Sequence, residues 1–232
     1  MKKKILITAL IVIIIIVGFG IYYVNDYYHA DKTALEYVNG SENVTVSKID
    51  NALFLNSSGD ENALIFYPGA KIEYISYLPL LYNIANNNID CFLVEMPFNL
   101  AILNPNVADD IINNYNYTNY YIAGHSLGGS MAAQYVHNTN KTDGLILLAS
   151  YPTNEIEKNV LSIYGSNDKI LNMEKYNTSK SLMNNLTEMK IKGANHAQFG
   201  NYAFQSGDGK ASISSFKQQK QTSDAIVDFI RG

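Results

Sequence analysis

The chain has a single cysteine, no tryptophan, little positive charge and, past its first two dozen residues, no second long apolar run. A lone cysteine, Cys91, excludes an intrachain disulfide; its apolar, strand-like surroundings suit a buried inert thiol. No grouping of Cys and His has the spacing of a zinc site, so no metal is expected. Lys and Arg number 17 against 21 Asp and Glu. Lys2, Lys3 and Lys4 precede an apolar segment, which leaves 14 basic residues against all 21 acidic ones after position 24, a balance of −7. Phosphate contacts need clustered Lys and Arg, so this acidic remainder is no nucleic-acid binder. The remaining length is enough for one domain with a sizeable core, and it carries no internal repeat or low-complexity tract.

The apolar segment from Ile5 to Val24 is twenty residues without a charge. As a helix it spans ~30 Å, the thickness of a bilayer core. Tyr22 and Tyr23 fall near one interface, and three lysines before the segment set the N-terminus in the cytoplasm. The competing reading is a cleaved signal peptide, for which Val17-Gly18-Phe19-Gly20 is a poor cleavage site. No cysteine follows the run, which excludes a lipoprotein anchor. On this reading residues 1–24 are cytoplasmic lysines and transmembrane anchor, 25–43 a polar tyrosine-rich stalk, and 44–232 an extracytoplasmic domain.

Beyond the stalk, 44–46 and 52–55 read as two strands joined by a turn. Apolar runs then alternate with helical spacing. Strands are expected at 63–67, 89–94, 120–123, 145–149, 160–164 and 187–191; helices at 74–85, 107–115, 126–137 and 173–184, with a last helix containing 224–231. Such alternation means an α/β fold, a mostly parallel central sheet with helices on both faces. Ligands in these sheets sit beyond the carboxyl ends of the strands. Only ten residues separate Ala149 from Val160, so no sizeable lid is expected there.

Gly124-His125-Ser126-Leu127-Gly128 is a G-x-S-x-G motif between an apolar strand and a helix of small residues. A serine on so tight a turn is exposed as a nucleophile. A serine hydroxyl needs an adjacent base, and the base needs an orienting acid. His196 follows the last expected strand and suits the base; Asp168 follows the strand before it and suits the acid. The order Ser, Asp, His is that of α/β-hydrolases. Glu95, at the end of the strand 89–94, is the rival acid and a pocket-lining candidate. Gln198 and Phe199, just after the base, are candidates for the pocket as well. The oxyanion calls for two backbone donors. Leu127, after the nucleophile, supplies one; Ala70 is the choice for the second, because Pro68 has no N–H. His125 is expected to pack behind the turn, and Asp208 to cap one.

The segments 66–71, 96–101, 124–129, 164–169 and 195–200, with Gly207-Asp208-Gly209-Lys210-Ala211, resemble the compact bacterial α/β-hydrolases related to dienelactone hydrolases. The resemblance spans about residue 33 to the C-terminus. It implies a serine hydrolase with Ser126, Asp168 and His196 as triad and no cofactor. Dienelactone hydrolases proper use a cysteine nucleophile; serine here favours ester chemistry, with a small-molecule or lipid-like ester as substrate. An acyltransferase or peptidase would use the same triad, and a non-catalytic surface-binding module could keep the same fold.

Overall fold

The computed structural model describes residues 2–59 and 61–232; Met1 and Asp60, which the expected segments include, lie outside the described residues. Eight strands form one sheet in the order β1-β2-β4-β3-β5-β6-β7-β8. They are β1 (Thr45–Ile49), β2 (Ala52–Asn56), β3 (Asn62–Tyr67), β4 (Asp90–Val94), β5 (Asn119–His125), β6 (Gly144–Leu148), β7 (Ile156–Gly165) and β8 (Met183–Ile191). β1 and β2 are a hairpin whose second strand joins β4 antiparallel; every pairing from β4 to β8 is parallel.

The central strands are fully apolar because both faces are covered. β4 and β6 are buried at every position. One face packs under α3 (Leu78–Ala85) and α7 (Ser215–Arg231) around Phe66, Leu81, Ile146 and Ile226. The other packs under α4 (Ala108–Asn114) and α5 (Leu127–Asn138) around Ile65, Phe92, Ala132 and Leu147. α7 is capped by Ser214, whose side chain accepts from the Lys217 N–H at 3.2 Å.

Two expected elements differ. The helical spacing over 74–85 divides into a 3-10 turn, Tyr74–Tyr77, and then α3 with Pro79 in its first turn. The helix expected over 173–184 stops earlier. α6 (Met173–Ser179) gives way to a short 3-10 turn, and β8 begins at Met183, paired with Ile156. Strand pairing with an early-starting β7 overrides a weak helical pattern that runs out at Asn184 and Asn185, poor helix formers. Because β7 starts at Ile156, the crossing from β6 is only residues 149–155, and no lid is inserted there.

α1 (Lys2–Asn25) projects from the domain with its apolar residues exposed, and it is long and apolar enough to cross a membrane. The tract read as a stalk is laid against the domain. Tyr28 bridges to Ile72, Ala30 bridges to Tyr202 and donates its N–H to Glu73 Oε2 at 2.8 Å. Asp31 caps α2 (Lys32–Leu35), in which Ala34 is fully buried.

Candidate active site

Ser126 stands between β5 and α5 with φ 52° and ψ −124°. That conformation strains any residue with a Cβ, at a cost of ~1–3 kcal/mol, so the surroundings must impose it. The Ser126 N–H donates to the Leu148 carbonyl at 2.9 Å, and the Ser150 hydroxyl donates to the Ser126 carbonyl at 2.7 Å. The glycines of the motif allow the crossing. A Cβ on Gly124 would lie 2.6 Å from the Gly128 backbone, and one on Gly128 would lie 2.2 Å from the Pro68 carbonyl oxygen. The start of α5 is therefore in direct contact with the turn after β3.

That contact brings two amides together. In the turn after β3 the Gly69 N–H donates to Tyr77 Oη at 3.1 Å and the Lys71 N–H to the Asn99 carbonyl at 2.8 Å. Pro68 has no N–H. Ala70 is the residue of this turn whose N–H has no acceptor among the described residues. Leu127 opens α5, where the first N–H groups of a helix have no acceptor within it and carry its positive pole.

Asp168 and His196 lie in the connections after β7 and β8, and their side chains are 1% exposed. Asp168 Oδ1 accepts from the Ile170 and Leu171 N–H groups, each at 2.8 Å. This fixes the carboxylate and leaves Oδ2 for His196 Nδ1 at 2.9 Å. With Nδ1 as the protonated nitrogen, Nε2 of the neutral ring is an acceptor. It is buried without a partner among the described residues. Ser126 and His196 line one cavity of about 230 Å³, together with Leu127, Ser150, Tyr151 and Leu171. The cavity shares Tyr151 and Asn172 with an open groove of about 600 Å³ along α6.

Three other sequence-expected residues lie elsewhere. Glu95 is half exposed and pairs with Lys48 of β1, on the side of the sheet where the β1–β2 hairpin joins β4. Phe199 is fully buried with its ring 5.5 Å from that of His125, so it supports the site from beneath. Gln198 borders a separate depression with Phe204 and Asn201. None of the three lines the cavity at Ser126.

The sequence signals missed how the loops are held. Asp208, read as a turn cap, is a clamp: Oδ2 accepts from the Ala197 N–H at 2.9 Å, and Oδ1 from Gly209 at 2.7 Å and Lys169 at 3.3 Å. It thereby joins the residue after Asp168 to the residue after His196. Gln218 on α7 exchanges two hydrogen bonds with the backbone of Asn195, at 3.1 and 2.8 Å. Its polar side chain on the apolar face of α7 was the available signal. His125 does sit behind the turn, fully buried. Its Nδ1 meets Tyr77 Oη at 2.8 Å and its ring lies 4.5 Å from that of His196. Burial, and secondarily His196, hold the His125 pKa well below the usual histidine range. It is a neutral packing group.

A mostly parallel sheet between helices, a serine on a strained strand-to-helix turn and an Asp–His pair at the ends of later strands make up the α/β-hydrolase architecture. The chain belongs to the alpha/beta hydrolase family, whose model matches residues 63–220, and it is a hydrolase enzyme of that family. The match is to the family as a whole and carries no narrower relation to dienelactone hydrolases. No curated protein matches the chain significantly. Among solved structures, the fold is similar to the Francisella virulence factor BioJ, with TM-score 0.66 at 13% identity, covering 92% of this chain and 90% of that one. It is similar to carboxyl esterase 2 from the mycorrhizal fungus Tuber melanosporum, TM-score 0.64 at 11% identity, covering 89% and 91%. A membrane phospholipase A, described as a bacterial virulence factor, matches over 100% of both chains with TM-score 0.60 at 12% identity.

Proposed function

We propose that this protein is a membrane-anchored, extracytoplasmic serine hydrolase that cleaves carboxylic esters through an acyl-enzyme on Ser126. The observation that carries the reading is the cavity shared by Ser126, on its strained turn, and the unpartnered Nε2 of a histidine whose other nitrogen is bonded to Asp168. In this reading Ser126 Oγ attacks the ester carbonyl carbon as His196 Nε2 takes its proton. Asp168 holds the ring in the Nδ1–H tautomer and stabilises the imidazolium. The Leu127 and Ala70 N–H groups bind the oxyanion. Collapse of the tetrahedral intermediate expels the alcohol, which takes the proton from His196. Water, deprotonated by His196, then attacks the acyl carbon and releases the carboxylic acid and free Ser126.

An ester substrate is favoured by the cavity at the serine, by the groove that adjoins it, and by the esterase and phospholipase A named among proteins of the same fold. Anchoring is supported by α1, which is long and apolar enough to span, and an outward domain by the lysines that precede it. We take 1–24 as the anchor, 25–43 as the segment that joins it to the domain, and 44–232 as the catalytic domain. Fluorophosphonate labelling tests the chemistry. The wild-type chain should be labelled once and Ser126→Ala not at all; labelling of Ser126→Ala at the wild-type rate would refute the assignment.

A further inference from the structure

The domain's exposed apolar side chains are one-sided. Outside α1 the six most exposed large apolar side chains among the described residues are Leu35, Phe98, Ile102, Leu103, Phe204 and Phe216. Phe98, Ile102 and Leu103 lie on the connection leaving the carboxyl end of β4; Phe204 and Phe216 follow β8. Leu35 is on α2, which packs against the 3-10 turn that follows β3. The opposite edge is polar: Asn86, Asn87 and Asn88 precede β4, and Asn138, Asn140 and Lys141 precede β6. Scattered surface apolar residues need no explanation, but a set confined to one end does. Phe98 is displayed rather than tucked in, at 61% exposed on a backbone with φ 52°.

The end of α1 is bonded into this same region. Lys71 Nζ lies 2.6 Å from Asp26 Oδ2 and 4.6 Å from the centre of the Tyr23 ring. The Tyr28 N–H donates to the Lys71 carbonyl at 2.7 Å, and the Lys71 N–H donates to the carbonyl of Asn99, the neighbour of Phe98. Tyr28 Oη accepts from the Ser206 N–H at 3.2 Å, which ties in the loop carrying Phe204. The docked Tyr28 is three positions beyond Asn25, the last residue of α1, a reach of ~10 Å. A helix that spans the bilayer cannot hold this end of the domain further from the surface than that.

We propose that the carboxyl end of the sheet rests on the bilayer that holds α1. Phe98, Ile102, Leu103 and Phe204 enter its interfacial zone, and the candidate active site takes an amphipathic ester from that same leaflet. The inference rests on the anchored-hydrolase reading and adds to it the docking face and the source of substrate. Apolar side chains beside a membrane anchor bind the interface through the area they bury, and a second point of attachment orients a domain that a single tether leaves free.

The full chain reconstituted in phosphatidylcholine–phosphatidylglycerol vesicles is the material for the test. Because the chain has no tryptophan, Phe98→Trp provides a single tryptophan, excited selectively over the tyrosines, and Asn140→Trp at the opposite edge is the control. Brominated phosphatidylcholine should quench Phe98→Trp severalfold more than Asn140→Trp; equal quenching overturns the docking. Ile102→Glu with Leu103→Glu should lower hydrolysis of 4-methylumbelliferyl oleate embedded in those vesicles about tenfold or more. Hydrolysis of soluble p-nitrophenyl butyrate should be unchanged. Equal loss on both substrates, or loss on neither, overturns the substrate source. Chain that fails to float with vesicles overturns anchor and docking together. Strong Phe98→Trp quenching in a chain that cleaves neither ester keeps the docking and removes the hydrolase reading.

Discussion

Replacing Gly128 by Ala separates oxyanion binding from folding. A Cβ at this position would stand 2.2 Å from the Pro68 carbonyl oxygen and 2.3 Å from that of Tyr67, about 1.2 Å inside ordinary contact at 3.4 Å. Both obstructing atoms are main chain and cannot rotate away. The first turn of α5 and the turn after β3 must therefore part by roughly 1 Å, the scale at which misplacement costs ~10²-fold in rate. These two segments carry the Leu127 and Ala70 amides, and losing one oxyanion donor costs ~10²–10³ in kcat, about 3–4 kcal/mol. Overpacking costs ~1–3 kcal/mol of stability, while Ala is the better helix former than Gly by ~1 kcal/mol. The net loss in stability is thus ~0–2 kcal/mol, a shift of no more than ~8 °C in Tm for a domain of this size. Steady-state hydrolysis of p-nitrophenyl butyrate should show kcat down by ~10²–10³ with KM little changed, and thermal unfolding should show a folded protein. A variant that keeps full kcat would refute the oxyanion assignment, and one that loses activity only by unfolding would refute the division of effects.

Asp208→Asn replaces an acceptor oxygen by a donor that faces a backbone N–H. It should cost ~1–3 kcal/mol of stability by denaturant titration, and lower kcat by more than KM rises, because the loops carrying Asp168 and His196 are uncoupled. His125 has a folded pKa depressed below its unfolded value of 6.5. Its contribution is complete above about pH 6.5 and is lost as pH falls towards the folded value, since the unfolded chain then binds the extra proton. Stability of the wild type measured from pH 7.5 to 5 should fall more steeply than that of His125→Asn, by at most ~1.4 kcal/mol per pH unit; parallel curves would show that His125 titrates freely. The Cys91 thiol is fully buried, and desolvation with Asp90 pushes its pKa up. A thiol-reactive disulfide reagent should therefore react with it in urea and not in the native protein, and fast native labelling would contradict its packing.

The alternation of apolar runs with helical spacing was legible because a buried parallel strand cannot avoid being apolar on both faces. It located β3 to β7 within a few residues at each end. Local periodicity places Met183 in a helix, because its strand character lies in pairing with Ile156, a residue 27 positions away. Glu95 stands at the end of a strand, and Gln198 and Phe199 directly follow the base; local position of either kind does not say where a side chain goes. Their side chains point where neighbouring strands and helices leave room, and that is not encoded at neighbouring positions.

By itself the sequence determined what short-range physics can specify. The glycines around Ser126 permit a crossing that no other residue allows, the strand ends set Asp168 and His196 in order, and twenty uncharged residues make a helix long enough for a bilayer. Tertiary structure alone decided what depends on contacts between distant segments. It put the Asp168 carboxylate on His196 Nδ1 and used Asp208 and Gln218 to hold the two loops. It gave the Gly69 and Lys71 N–H groups acceptors in Tyr77 and Asn99 and left the Ala70 N–H between them with none among the described residues. It also folded the tract after α1 back onto Lys71, so that the end of α1, the turn after β3 and the exposed Phe98 loop became one bonded unit.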